Sequence, residues 1–266
     1  MSAIAVHKWI FSILNPMSLK YALDPSTVKS YPKQSPFRLA WSAHSRFLTQ
    51  KAKRQHQPLA SIIELQRDIQ FIPERGAPVH DDTAVTTGQF ELLARGLESV
   101  RDIEGDVIEV GSYRGVTTLG LARLTSKNVY AIDPFSGYGA SDQDYQVFLQ
   151  RTSEAKNIFH IRKMSGKAAE DFKFRKICFA FIDAVHDVSN SWFDFVAWSG
   201  SLADGGLVAL HDVDDHPGVG FTARHILKSG SPFRIWGYCP NILILKKVEK
   251  ASLSRSAAPV LFEGRG

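Results

Sequence analysis

Between residues 106 and 212, short apolar runs alternate with stretches of helical periodicity. Val107, Ile108 and Val110 predict a strand. Residues 116–124 predict a helix with Leu119, Leu121 and Leu124 on or near one face, and residues 129–132 predict a second strand closed by Asp133. A helix follows over 142–156 with Tyr145, Phe148 and Leu149 apolar, then a strand over 158–161 and a short helix from the 164–167 turn to Phe172. Residues 177–182 are an unbroken apolar run, as expected of a central strand buried on both faces, and they end in Asp183. A helix over 187–202 carries Trp192, Phe195, Val196 and Trp198. Asp204-Gly205-Gly206 turns the chain, and a strand over 207–210 ends in His211-Asp212. Residues 214–220 read as a polar, solvated loop, 221–228 as a helix, and 233–238 with 242–248 as a terminal strand pair. This alternation, with right-handed crossovers, predicts an α/β fold with a mostly parallel sheet and a terminal antiparallel strand.

The chain before residue 106 is patterned differently. Thr86-Thr87-Gly88-Gln89 has the form of a capping box, and Phe90, Leu92, Leu93 and Leu97 give the following helix an apolar face. A short helix is expected over 61–71 on Ile62, Ile63, Leu65 and Ile69, and another over 37–52. Pro16, Pro25, Pro32 and Pro36 break up the N-terminal stretch. The organisation expected is an N-terminal extension over 1–58, one domain over 59–249, and a frayed tail over 250–266.

Charge sharpens that division. Residues 1–58 hold nine Lys or Arg and one acid, Asp24, for a net +8, whereas the remaining 208 residues net −3. Basicity therefore belongs to the extension, which also carries Trp9, Phe11, Tyr21, Tyr31, Phe37 and Trp41. Such an arm is most simply a solvated extension. It also offers contact with an anionic lipid surface, an acidic partner or a nucleic acid. No aromatic stacking motif of the RNA-binding kind appears, so no nucleic-acid partner is expected. The run from Ile4 to Leu14 is broken by His7 and Lys8, and no stretch of 18 apolar residues occurs, so neither a signal peptide nor a transmembrane helix is expected. Two cysteines, Cys178 and Cys239, fit a reducing, cytoplasmic setting, with Cys178 expected in the core.

The candidate chemistry starts at the turn after the first strand. Its pattern is Glu109-Val110-Gly111-Ser112-Tyr113-Arg114-Gly115, with Asp133 about 20 residues on. A dinucleotide fold asks for G-x-G-x-x-G so that backbone amides reach a pyrophosphate. Here only two glycines occur, and Glu109 would repel a phosphate while suiting a ligand with an amino group. The stretch resembles motif I of the class I S-adenosylmethionine-dependent methyltransferases, which have a Rossmann-like fold. The resemblance implies S-adenosylmethionine as cofactor, held by Glu109, Gly111, Ser112 and Gly115, with Asp133 on the ribose hydroxyls. It further places Ser165, in the loop after the third strand, beside the adenine.

A second constellation lies at the carboxyl ends of two later strands, where Asp183, His186, His211 and Asp212 should converge on one rim of the sheet. Carboxylates suit Mg²⁺, Ca²⁺ or Mn²⁺, and His211 would favour a transition metal. The stretches FIDAVH and WSGSLADGGLVALHDV resemble the branch that includes the macrocin and cephalosporin-type O-methyltransferases and, more distantly, catechol O-methyltransferase. Over about residues 86–248 that resemblance implies Asp183, His211 and Asp212 as divalent-metal ligands, Asp183 also lying on the cofactor side. His211 departs from the acidic form of the branch. His186 stands where the catechol enzyme has its basic lysine, so His186 and His211 are the candidate bases. The reaction implied is methylation of a hydroxyl oxygen on a small molecule or sugar. Transfer to nitrogen without metal, or a non-catalytic cofactor-binding protein, remain as alternatives. The asymmetry of the N-terminal arm adds a peripheral membrane contact as a further expectation, and oligomeric state is not indicated.

Overall fold

The computed structural model describes residues 22–63, 68–137, 139–228 and 230–249. Trp9, Phe11, Tyr21 and the run 4–14, as well as the tail over 250–266, lie outside the described residues.

Eight strands form one sheet. They are β1 (Gln70–Phe71), β2 (Asp106–Val110), β3 (Val129–Ile132), β4 (Ile158–Ile161), β5 (Ile177–Ile182), β6 (Leu202–His211), β7 (Phe233–Cys239) and β8 (Ile242–Lys247). Their order is β1-β7-β8-β6-β5-β2-β3-β4. β8 runs antiparallel to both β6 and β7, and every other pairing is parallel. The expected α/β sheet with an inserted antiparallel strand is therefore what forms.

The central strands are buried on both faces, and their alternation splits the core in two. Ile108, Val110, Ile132, Ala180, Ile182, Val208 and Leu210 face one side. There they meet α8 (Val188–Ser199), through Trp192, Phe195 and Trp198, and α9 (Pro217–Ile226). Val107, Phe179, Phe181, Leu207 and Ala209 face the other side. They pack on Leu92, Leu93 and Leu97 of α4 (Thr87–Ser99) and Leu121 of α5 (Val116–Arg123). Glu109 falls on this second face by the same alternation, which carries a carboxyl into the core beside α5.

N-terminal to the sheet, α1 (Pro25–Ser30), α2 (Pro36–Arg54) and α3 (Ala60–Ile63) precede β1. α2 packs on α8 and α9, and its Leu48 and Ala52 join the first core together with Leu59 and Ile63. No helix among the described residues is long and apolar enough to cross a membrane. Two short helices complete the sheet's outer layer, α6 (Asp142–Thr152) and α7 (Ser165–Asp171).

Four expectations need correction. The helix over 61–71 stops at Ile63 among the described residues, and Gln70 and Phe71 are extended, because they add a parallel edge strand beside Gly237 and Tyr238. Leu124 is exposed rather than on the packed face of α5, which is built by Thr117, Thr118, Leu121 and Ala122. Asp204-Gly205-Gly206 lies within β6 as a bulge, between the Leu202–Ile177 and Leu207–Phe179 pairings, with Gly205 at φ 80°. Finally, 214–220 is a solvated loop only at Asp215 and His216, which are exposed. α9 begins at Pro217, which suits the first helical turn because it needs no N–H there, and Asp214 is buried. Asp214 accepts hydrogen bonds from Leu59 N (2.6 Å), Asn241 N (2.6 Å) and the Tyr238 hydroxyl (2.8 Å).

Candidate active site

The carboxyl ends of β2, β3 and β5 open onto a cavity of about 420 Å³. Glu109, Gly111, Ser112, Asp133, Ser165, Asp183 and His186 all line it, so most of the sequence-predicted positions are brought together. Gly115 sits one turn back as the N-cap of α5, with its backbone at φ 76° and a would-be Cβ 2.7 Å from Phe148. Gly111 has the stricter requirement. A Cβ there would lie 1.8 Å from the Asp183 carbonyl oxygen, and φ is 92°. Only glycine lets the ends of β2 and β5 approach this closely.

Glu109 is almost wholly buried and hydrogen-bonded to the Thr118 hydroxyl. Burial pushes its carboxyl up to about 8, partly offset by Thr118 and reinforced by the charges of Asp183 and Asp133. Asp133 is also raised by burial, although it accepts from the backbone N–H groups of Tyr113 (3.1 Å) and Phe135 (2.8 Å). Both donors adopt left-handed backbone conformations, φ 44° and 48°, which bulky residues rarely do. The chain is bent on either side of Asp133 to aim two amides at it, and such strain gathers at functional sites. Neither acid has a cationic side-chain partner among the bonds described. This end of the cavity can therefore accept hydrogen bonds from hydroxyls and welcome a positive charge.

Ser112 and Ser165 differ. The Ser112 hydroxyl is buried with no partner, so it is available to a ligand. The Ser165 hydroxyl accepts from Trp198 Nε1 (2.9 Å) and bonds the Asp194 carboxyl. Asp194, buried and raised to about 7 by that burial, also lines the cavity. Sequence reasoning missed Asp194, whose only signal was an acid on the otherwise apolar face of α8.

The opposite rim gathers two carboxylates and two imidazoles. His186 Nε2 lies 2.9 Å from Asp212 Oδ2 and 3.6 Å from Asp183 Oδ1. His211 Nδ1 lies 3.3 Å from Asp212 Oδ2 and 3.5 Å from Asp183 Oδ1. Asp212 reaches this place through a left-handed backbone, φ 61°, with Oδ1 held by Asn241 Nδ2 at 2.9 Å.

A helix cap sets the protonation pattern. Thr86 and Gln89 form the expected capping box at the start of α4. The amide orientation of Gln89 follows from its bonds: Nε2 donates to Pro240 O (2.9 Å), and Oε1 accepts from Thr86 N (2.9 Å). Oε1 lies 3.1 Å from His211 Nε2, so that ring nitrogen carries the hydrogen between them. Nδ1 is then left facing both carboxylates, buried and without a partner in hydrogen-bonding geometry, as is Nε2 of His186. A neutral ring would turn its lone pair toward two negative charges. Either a proton on Nδ1 or a cation between the groups relieves this. Burial opposes charge on His211, but Asp183 and Asp212 outweigh it and raise the ring to about 10. Asp183 and Asp212 raise His186 to about 9. In return, and against their own burial, both carboxylates are held below the usual range. The carboxylates thus favour the protonated form of each imidazole at neutral pH while they face it alone.

One further network was not legible in the sequence. Arg114, from the glycine turn, donates to Asp82 (2.5 Å) and Asp144 (2.7 Å), and Arg151 donates to Asp82 (2.6 Å). Arg151 and Arg114 hold the Asp82 carboxyl down to about 2. The network pins the segment 81–84, which forms part of the cavity wall.

Comparison with known proteins agrees with this geometry. Residues 108–213 match the Methyltransf_24 family, described as a methyltransferase domain. Among solved structures, the O-methyltransferase NovP aligns with TM-score 0.55 at 13% identity, over 79% of this chain and 99% of that one. The TDP-rhamnose 3'-O-methyltransferase of calicheamicin biosynthesis aligns at 0.48 and 16%, over 82% and 97%. TomG from Streptomyces achromogenes, an O-methyltransferase of tomaymycin synthesis solved with S-adenosylmethionine, aligns at 0.47 and 17%, over 64% and 83%. No curated protein sequence matches the chain. With its methyltransferase domain spanning β2 to the end of β6, the chain is an S-adenosylmethionine-dependent methyltransferase.

Proposed function

We propose that the chain methylates a hydroxyl oxygen of a small molecule or sugar, assisted by a divalent cation held by Asp183, His211 and Asp212. The observation that carries this reading is the buried, unpartnered Nδ1 of His211, facing two carboxylates. One of these, Asp183, lines the same cavity as Glu109 and Asp133. A donor set with an orphaned imidazole nitrogen fits a cation. The fold shared with NovP, an O-methyltransferase by name, agrees with oxygen as the acceptor.

When bound, S-adenosylmethionine supplies the methyl group, and the cation would lower the barrier to ionising the acceptor hydroxyl. In this reading Asp133 accepts from the ribose hydroxyls, and Glu109 accepts from the amino group. The turn from Gly111 to Gly115, with Ser112, lets the cofactor lie against the backbone. Asp194, positioned by Ser165, meets the adenine edge. His186 lines the acceptor side. It takes a proton only where Asp183 and Asp212 are otherwise engaged, because those carboxylates keep it protonated. The extension over 1–58 is assigned to peripheral contact with an acidic surface, on its net +8, in a cytoplasmic enzyme. Because α2 of this extension is packed on α8 and α9, the test replaces its exposed Lys and Arg by Gln rather than deleting it, and unchanged liposome binding would remove that assignment.

The test is calorimetric binding of S-adenosylhomocysteine to wild type and Asp133→Ala, with and without Mg²⁺ or Mn²⁺, followed by labelled methyl transfer to a panel of hydroxyl and amine acceptors. Binding that is lost in the variant, with transfer to hydroxyls that needs the cation, is the expected result. Cofactor binding with metal-independent transfer to amines would overturn the acceptor and metal assignments together.

A further inference from the structure

The rim holds a second group of potential ligands, which adds His216 to His186 and Asp212 and which the reading above does not use as a cation site. His186, Asp212 and His216 each present one donor atom, and these atoms lie within 4.8 Å of one another, as do those of Asp183, His211 and Asp212. The two groups share Asp212. We infer that the His186–Asp212–His216 group is a second divalent-cation site, with Asp212 as the carboxylate common to both.

Two features of the backbone build this group. His216 is the N-cap of α9, and its N–H bonds to Asp212 O at 3.0 Å, closing the turn that brings ring and carboxylate together. Gly218, in the first turn of α9, lies against the His186 segment. A Cβ there would stand 2.2 Å from His186 O and 2.7 Å from Val188 N. That contact is backbone on backbone, so the two histidine-bearing segments are locked in register and the site does not depend on flexible side chains to assemble. The rings of His186 and His216 consequently sit 4.2 Å apart, centroid to centroid, tilted by 40°.

The donor atoms point the same way. His186 Nε2 is buried without a hydrogen-bond partner, although Asp212 Oδ2 is only 2.9 Å away. The close approach is out of line for a hydrogen bond, as two ligands of one cation would be relative to each other. Asp212 is turned into place by its left-handed backbone and anchored on the far side by Asn241. Two imidazoles and one carboxylate suit a borderline transition cation such as Zn²⁺, Co²⁺ or Ni²⁺ better than Mg²⁺. Three protein ligands leave open positions, and the exposed His216 leaves the site accessible from solvent. A cation there would lie on the solvent side of the first site and could take a second oxygen of the acceptor or an external anion.

The inference shares Asp212 with the proposed catalytic site but not its other ligands, so the two can fail separately. Chelator-treated full-length protein would be titrated with Co²⁺ and Zn²⁺ by calorimetry, with visible absorption following Co²⁺ ligation. His216→Gln and Asp183→Asn would be titrated alongside, and near-ultraviolet circular dichroism would confirm that each variant is folded. Two equivalents in the wild type are expected, with one lost, or weakened at least tenfold, in His216→Gln and the other in Asp183→Asn. A single wild-type equivalent that vanishes in His216→Gln would sustain this site and remove the first. A single equivalent indifferent to His216→Gln, or two that survive it unchanged, would overturn the inference, as would no binding at all.

Discussion

The cavity end at Glu109 and Asp133 and the neighbouring end at the Asp183–Asp212 rim are both acidic, yet their acids behave in opposite ways. Around Glu109 and Asp133, carboxyls are buried with neutral donors, Thr118 and two backbone amides, and burial raises them. Around Asp183 and Asp212, carboxylates face imidazoles and are depressed. The first end lacks a positive charge and hydroxyl donors, which is what a ribosyl, amino-bearing cofactor brings. The second has neutralised itself with protons, which a metal cation would displace. The two groups of acids thus differ in the partners the fold supplies, neutral donors in the one and imidazoles in the other.

The largest effect should come from cutting the first end. Asp133→Ala should weaken S-adenosylhomocysteine binding by roughly 100-fold, since two hydrogen bonds to a charged acceptor are each worth about 1.5 kcal/mol. A change of less than threefold, measured by calorimetry, would dissolve the contrast. At the other end, Asp212→Asn should slow methyl transfer by about 100-fold while leaving cofactor affinity within about twofold. A parallel loss of cofactor binding would show that the ends are not separable.

The ends should also differ in their response to pH. The free Glu109 carboxyl titrates near 8, and a ligand ammonium selects its ionised form. Cofactor affinity should therefore fall as pH drops below about 8, by at most about tenfold per unit, with proton release on binding visible in buffers of different ionisation enthalpy. Glu109→Gln should flatten that profile. For the metal-free rim the sign reverses. His186 is raised to about 9, so its share of stability is full below its unfolded value near 6.5 and is lost as pH rises through about 9. Asp212 is depressed, so its share is lost as pH falls below the ordinary carboxylate range. Thermal melting of metal-free protein should show both losses, and Asp212→Asn should remove the acid-side loss but only reduce the alkaline one, because Asp183 still faces His186. The smallest effect expected is that of Thr86→Ala, about 1 kcal/mol from the broken cap.

How much of this was legible in the sequence varied with the range of the interaction. The strands and helices from 106 to 212 followed from apolar periodicity. So did the convergence of Asp183 and His211-Asp212, because strand ends in one parallel sheet share a rim. The capping box was readable because its two partners are three residues apart. Its link to His211 was not, because Gln89 and His211 meet only after β6 and α4 have packed. Asp214 looked solvated because its local sequence is polar, whereas its partners Leu59, Tyr238 and Asn241 come from distant segments. The strand at Gln70–Phe71 failed for a similar reason, since two residues carry no period and only the neighbouring β7 makes them a strand. Ser165 lies on the cavity wall, but the use of its hydroxyl by Trp198 and Asp194 depends on α8 docking.

The reversal between β7 and β8 has a consequence in time. Asn241, at φ 73° in that turn, holds Asp212 through Nδ2, offers its own N–H to Asp214, and accepts the N–H groups of Asp214 and Asp215. Pro240 beside it fixes the Gln89 amide that orients His211. A nascent chain that has emerged only as far as α9 has the glycine turn and Asp133 but lacks Asn241, which holds the Asp212 carboxylate, and Pro240, which fixes the Gln89 amide. The last two strands therefore complete the acceptor side, while the glycine turn and Asp133 have their hydrogen-bond partners earlier in the chain.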